Sequence, residues 1–533
     1  MKPEDISDAI GMLDDHLIAC AENVRKKHTI EQEIPKKQFR FYAVTITAVF
    51  ALFCFTASIV FSHFEAKKQA RNATATQISK AIYPKKPLYP NNLESGKEEE
   101  AYEQYKKWQK EQEKQKQYQA PAKESLKNLT NFFSETMRQL LIKKDTDLSH
   151  FFTSTDDKNY VCSPLNLYMA LSVLSELCDG NSQKQIFTLL KTDTKKALQV
   201  QTNCLWNAEY CNDGVTENIL ANSLWLNETI PFRQSLMDTL AKTYYVSSYK
   251  GTMGSKKFDQ MLQDWINKQT NYFLKKETQT ISLEKETVLA LVSTLYFQSG
   301  FSTEFSVDAT KEAIFHSPYK DITCDFMRED NVQDYYESEH FLAIEKYLKN
   351  DQSLWLFLPK EDIKVQELLK DNSVMNLILY KSKIPSLEEA EQEKQQIMQE
   401  IKNIKRKTRL IHLSLPKFDI SSKFNLKESL QAMGITDVFD RAKANFSPLL
   451  SVDTVSNSIY LSKASQTVRL MIDETGVLGS SYVEMEFNYT YTGEESEMEE
   501  LNLTFDRPFL FVIAGKAETP LFAGIVNNPK KDS

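Results

Sequence analysis

The chain has 533 residues, of which 41% are hydrophobic and 26% charged, and carries a formal net charge of −8. That length exceeds one ordinary domain, and the composition is that of a globular chain with polar additions. The negative balance argues against a nucleic-acid-binding surface, which needs Lys and Arg clustered on one face. The basic runs are local (Arg25–Lys27, Lys36–Arg40 and Lys402–Arg409), and the last reads as the solvated face of a surface helix.

From the N-terminus, Ile6, Ile10, Leu13, Leu17, Cys20 and Val24 recur at helical spacing, which predicts an amphipathic helix over Glu4–Lys27. Alone it is marginal in water, so a cytoplasmic or membrane contact and a frayed tail both stay open. Residues 41–62 hold no charged side chain. This stretch matches the ~20 apolar residues that cross a hydrocarbon core. It is too long for a signal peptide and lacks a good small-residue cleavage motif. Arg25, Lys26, Lys27, Lys36, Lys37 and Arg40 precede it, against Lys67, Lys68 and Arg71 after it. The bias predicts a single-pass membrane protein with residues 1–40 in the cytoplasm and the body extracellular. Residues 63–122 read as a polar stalk, Pro-rich over Tyr83–Pro90 and dense in Glu, Lys and Gln over Glu98–Gln119.

The compact domain is expected over 123–533. Leu126, Leu129, Phe133, Met137, Leu140 and Leu141 mark one amphipathic helix, and Ser163-Pro164 opens another through Leu177. Strand-like runs lie at Val288–Phe297, Leu354–Leu358, Leu410–Leu415 and Ile459–Leu461. Helices and strands mix without βαβ alternation, so the fold class is α+β. Of seven cysteines, Cys162, Cys178, Cys204, Cys211 and Cys324 fall in this domain. Cys204 and Cys211 are close enough for a bridged loop in an oxidising compartment, with buried free thiols as the alternative. No GxSxG, HExxH, Walker or dinucleotide-binding glycine pattern occurs, and the seven histidines are scattered. No catalytic residue, metal site or cofactor is expected.

The most informative stretch is Asp473-Glu474-Thr475-Gly476-Val477-Leu478-Gly479-Ser480-Ser481, followed further on by Phe505-Asp506-Arg507-Pro508-Phe509. From Val477 to Phe487 the odd positions are Val, Gly, Ser, Val, Met and Phe, while Leu478, Ser480, Tyr482, Glu484 and Glu486 alternate with them. One face is small and then apolar, and the other becomes charged. This is the period-2 pattern of a half-buried strand, although a surface hairpin can carry it too.

These words, together with Ala221-Asn222-Ser223-Leu224-Trp225, Leu291–Phe297, Leu413–Phe418, Met433-Gly434-Ile435, Phe446-Ser447, Leu461-Ser462-Lys463 and Asn528-Pro529, resemble the ordered blocks of a serpin. The likeness runs from about Lys123 to Pro529. It implies three β-sheets surrounded by helices, an exposed reactive loop and a metastable native state. It also implies inhibition as a suicide substrate. A serine protease attacks the loop and forms an acyl-enzyme, and the loop then inserts into the central sheet. The nucleophile belongs to the protease, so the chain is not an enzyme.

By the same resemblance Glu474, Gly476, Val477, Gly479, Ser480 and Ser481 form the hinge, and Val483, Met485 and Phe487 continue the inserting face. The loop is longer than usual. Counting from the hinge puts the attacked bond near Thr490–Tyr491, with Tyr489 adjacent. Where the family usually has Asn, Lys and Trp in its sheet-opening machinery, this chain carries Ser293, Gln298 and Phe301. Where it usually has Ser and His beneath the sheet, beside Ser163, it carries Asn166 and Gln466, whose two amides are expected to bond each other. The expected partner is an extracellular serine protease held covalently, and no partner is assigned to the cytoplasmic tail. The alternative is a non-inhibitory serpin serving as a membrane-tethered binding or scaffold protein.

Overall fold

The computed structural model describes residues 74–90, 98–142, 158–381, 384, 401, 403–451, 459–477 and 499–530. All belong to the second of two units, Ala73–Ser533. The expected N-terminal helix, the membrane span 41–62 and loop residues 478–498 lie outside the described residues. Among the described residues no helix is long and apolar enough to cross a membrane.

In chain order the elements begin with β1 (Ala75–Ser79), α1 (Glu98–Leu141), β2 (Tyr160–Cys162), α2 (Pro164–Leu177), α3 (Gly180–Leu189) and α4 (Lys195–Glu209). Next come β3 (Cys211–Asn212), β4 (Thr216–Asn227), α5 (Gln234–Thr243), β5 (Val246–Gly251), α6 (Lys256–Gln269), α7 (Lys275–Thr278) and β6 (Leu289–Gly300). β7 (Lys311–His316), β8 (Asp321–Glu337), β9 (Phe341–Leu348), β10 (Gln352–Pro359) and α8 (Ser373–Tyr380) follow. The chain ends with β11 (Lys405–Pro416), β12 (Phe418–Asn425), α9 (Leu426–Ala432), β13 (Ser465–Asp473), β14 (Gly476–Val477), β15 (Glu500–Thr504), β16 (Phe509–Ala514) and β17 (Pro520–Val526).

The strands form two hydrogen-bonded sheets. The first runs β1-β5-β4-β6-β14-β13-β12, with β3 on β4. The second runs β15-β11-β8-β9-β10-β16-β17-β2, with β7 on β8. Three sheets were expected. The long strand β8 makes the two smaller ones continuous, because its start pairs with β7, its length with β11 and its end with β9. α2 lies between the sheets and is buried almost all round, from Pro164 to Leu177. Ser163 caps it by accepting from Asn166 N–H, and Pro164 sits at its first position, where a missing N–H costs nothing.

The compact unit starts well before the expected boundary at 123. β1 extends the first sheet by pairing antiparallel with β5. Tyr83 then stacks with Tyr210, Trp206 and Tyr245 at ring-centre distances of 5.8, 6.1 and 6.1 Å. The stretch read as solvated stalk is the first half of α1, and one face of it is docked. Trp108 Nε1 donates to Asp213 Oδ2 at 2.9 Å, and Gln112 and Gln115 accept from the buried Lys516 Nζ at 2.8 and 3.0 Å. Long amide side chains can satisfy a buried cation, which is why a polar run packs here.

Two further expectations are corrected. Residues 405–409 are strand rather than helix, and β8 and its surroundings supply acids to them. Lys407 Nζ is 2.6 Å from Glu337, and Arg406 and Arg409 pair with Asp334 and Glu499. Ile459–Leu461 is not a strand; it leads toward β13. Cys204 and Cys211 are free thiols.

Candidate functional site

β14 holds only two residues, yet it lies between two strands and is antiparallel to both. Val477 is paired with Ile472 of β13 and Ser299 of β6, and Gly476 with Asp473 and Gly300. β6 and β13 are therefore parallel and two strand spacings apart at this level, roughly 9–10 Å. Below β14 no ladder joins them among the described residues. A small cavity of about 30 Å³ lies on that line, bordered by Ser293 and Phe297 on one side and Thr467 and Arg469 on the other.

The hinge is fixed from several directions. Gly476 has φ of +151°, and a Cβ there would stand 2.4 Å from the Ser299 carbonyl oxygen, so only glycine fits. Val477 is fully buried. The carbonyls of Thr475 and Glu474 accept from the N–H groups of Phe301 and Phe305 at 2.9 and 3.0 Å. The Glu474 side chain is buried and accepts from Thr310 Oγ1 at 2.9 Å and Lys417 Nζ at 3.2 Å. Burial pushes its carboxyl up, but the hydrogen bonds from its own backbone, Thr310 and Lys417 outweigh that and hold it below the usual range.

Phe301, which replaces the expected Trp, is fully buried and meets Phe305 edge-on at 5.5 Å. The ammonium of Lys346 lies 4.9 Å above its ring centre and 4.2 Å above that of Phe305, and is 2.7 Å from Glu329. Burial lowers the Lys346 pKa, against the pull of Glu329. Two phenyl faces and one carboxylate thus hold the buried ammonium of Lys346.

Midway down the sheet Ser163, Asn166, Ser293 and Gln466 come together. The two amides do not bond each other, contrary to expectation. Gln466 clasps the backbone of Ser163, accepting from its N–H at 3.0 Å and donating to its carbonyl at 2.9 Å. Asn166 bonds Ser293, donating Nδ2–H to its carbonyl at 3.2 Å and accepting from its hydroxyl. Ser163 Oγ donates to the Leu521 carbonyl at 2.6 Å. Helix α2 is thereby tied separately to β6, β13 and β17. Gln298 is one residue before Ser299 on β6, and its Oε1 accepts from the Tyr296 hydroxyl at 2.9 Å.

The hinge residues Glu474, Gly476 and Val477 and the residue Phe301 thus form one cluster at the top of the first sheet. Ser163, Asn166, Ser293 and Gln466 form a second. Gly479, Ser480, Ser481, Val483, Met485, Phe487, Tyr489, Thr490 and Tyr491 lie outside the described residues. Sequence reasoning missed Thr310, Lys417 and Lys346. Thr310 and Lys417 reach Glu474 across long spans of chain, and Lys346 meets Glu329 only through strand pairing, so no local spacing marks them.

A family profile described as serpin (serine protease inhibitor) matches residues 146–529. The chain belongs to the serpin family, whose members are in general protease inhibitors rather than enzymes. Plasminogen activator inhibitor 1 of Sus scrofa is 25% identical over 396 residues, covering 70% of this chain and 88% of that protein. A serine protease inhibitor of Cyanea capillata is 24% identical over 385 residues, covering 70% and 93%. The native-state crystal structure of tengpin, a thermophilic serpin, aligns with a TM-score of 0.62 at 20% identity, over 85% of this chain and all of that one.

Gln466→Ala leaves the buried Ser163 N–H without its acceptor. A loss of about 1–3 kcal/mol is expected, read from the native melting temperature or urea midpoint. The hinge carries a pH signature as well. A carboxyl with a depressed folded pKa contributes stability above its unfolded value, about 4.3, and loses it as pH falls through the folded one. Below pH ~4.3 the native melting temperature should fall less in Lys417→Met than in the wild type, because that variant lacks one source of the depression.

Proposed function

We propose that the chain inhibits serine proteases as a suicide substrate, from an extracellular position at the end of an N-terminal membrane anchor. The observation that carries the reading is β14, a seated beginning of the inserting strand. Its register, continued residue by residue, gives Gly479 as the neighbour of Leu470 and Phe297, and Ser481 as the neighbour of Val468 and Leu295. The same continuation brings Val483 opposite Gln466 and Ser293. It then brings Met485 opposite Leu291 and Phe487 opposite Leu289.

β13 supports this parity. Gln466, Val468, Leu470 and Ile472 are buried while the residues between them are not. The odd loop positions therefore face the core in the inserted state, with small side chains at 479 and 481 and apolar ones further on. Leu478, Tyr482, Glu484 and Glu486 face outward, so no charge enters the core. The attacked bond lies near Thr490–Tyr491, with Tyr489 adjacent, counted from the hinge. The apolar span 41–62 with its basic N-terminal flank supports the anchor.

Incubation with chymotrypsin-, elastase- and subtilisin-like proteases tests the reading. The expected product is an adduct stable to SDS, with a released C-terminal fragment whose sequence begins at or beside Tyr491. Clean cleavage without any adduct contradicts inhibition and leaves a tethered binding protein.

A further inference from the structure

Arg469 lies on the outward face of β13, where the alternation leaves it half-buried. Its guanidinium is fixed by Asp419 of β12, Nε to Oδ1 at 2.9 Å and Nη2 to Oδ2 at 2.8 Å. The remaining arm, Nη1, donates to the Phe273 carbonyl at 3.1 Å, and the guanidinium carbon lies 4.5 Å from the centre of the Phe273 ring. A planar fork with one edge on a carboxylate and the other arm on a carbonyl is a geometry lysine cannot copy.

Phe273 belongs to the connection between α6 and β6. The chain reaches it through Asn271 and Tyr272, both left-handed, with φ of 45° and 60°. Two such residues in succession are unfavourable unless tertiary contacts hold them. The connection leads covalently into β6, whereas Arg469 is part of β13. The Arg469–Phe273 contact therefore links the two strands that flank β14, and both residues line the small cavity below it.

We propose that Arg469 is a positioning residue for loop insertion, acting as a latch across the line between β6 and β13. This rests on the insertion reading above. As the loop advances beyond Val477, β6 and β13 must yield transiently for side chains to pass. The guanidinium then has to release the Phe273 carbonyl. The latch slows entry of a strand without changing what the strand gains once seated.

The full chain is mixed with a synthetic peptide of residues 478–490, which continues β14 from Val477, and capture is followed by native electrophoresis and by gain of heat resistance. Arg469→Ala should capture the peptide about ten-fold faster than wild type, the loss of one charge-assisted hydrogen bond being enough for that ratio. Arg469→Lys should fall between them. The rise in melting temperature on loading should be the same in all of them. Leu430→Ala, in the buried face of α9, controls for general loosening and should capture at nearly the wild-type rate. If Arg469→Ala does not fold, Asp419→Asn takes its place, since it frees the guanidinium from its anchor, and should also accelerate capture. Equal rates in wild type and latch variants, or equal acceleration by Leu430→Ala, overturn the latch alone. A wild type that captures no peptide sinks the insertion reading and the latch with it.

Discussion

Backbone N–H and C=O groups on a strand edge need partners, and β6 and β13 turn such edges toward each other. Gly476 and Val477 supply those partners at the top of the line and nowhere else among the described residues. The rest of the structure is arranged around this requirement. The hinge is held where a strand can start, the amide cluster ties α2 to both flanking strands, and the connection after α6 reaches across to Arg469.

Magnitudes show what insertion must draw on. A net hydrogen bond is worth about 1 kcal/mol, and ordering a residue costs about 1–2 kcal/mol. Ladder formation alone therefore comes close to cancelling. The gain has to come from apolar side chains, at about 1.5–3 kcal/mol for each large one fully buried. Under the proposed insertion Val483, Met485 and Phe487 are the candidates, and Val477 is already buried. Small residues at 479 to 481 then make sense as the part that enters first, where bulk raises the barrier without adding much to the final state.

The elements whose signal is local were legible. Ser163-Pro164 announces the cap and first turn of α2, the Leu291–Phe297 run marks β6, and the Glu474–Gly476 spacing marks the hinge. Elements decided by distant partners were not. Nothing in Ala75–Ser79 says that β5 offers it an edge, and nothing in Trp108 names Asp213. The basic stretch from Lys405 reads as a solvated helix until the acids of β8 are known. Asn166 and Gln466 have the right chemistry to bond each other, but each found a nearer partner in Ser293 and in the backbone of Ser163. Arg469 gave no signal, because its role depends on a carbonyl nearly two hundred residues away.

The central claim is that the native chain is held short of its most stable arrangement, and that freeing the loop lets it complete the first sheet. Thermal unfolding of the intact protein and of protein cut once within residues 488–492 compares the two states directly. The account predicts that the cut form melts tens of degrees higher. Equal melting temperatures would contradict it.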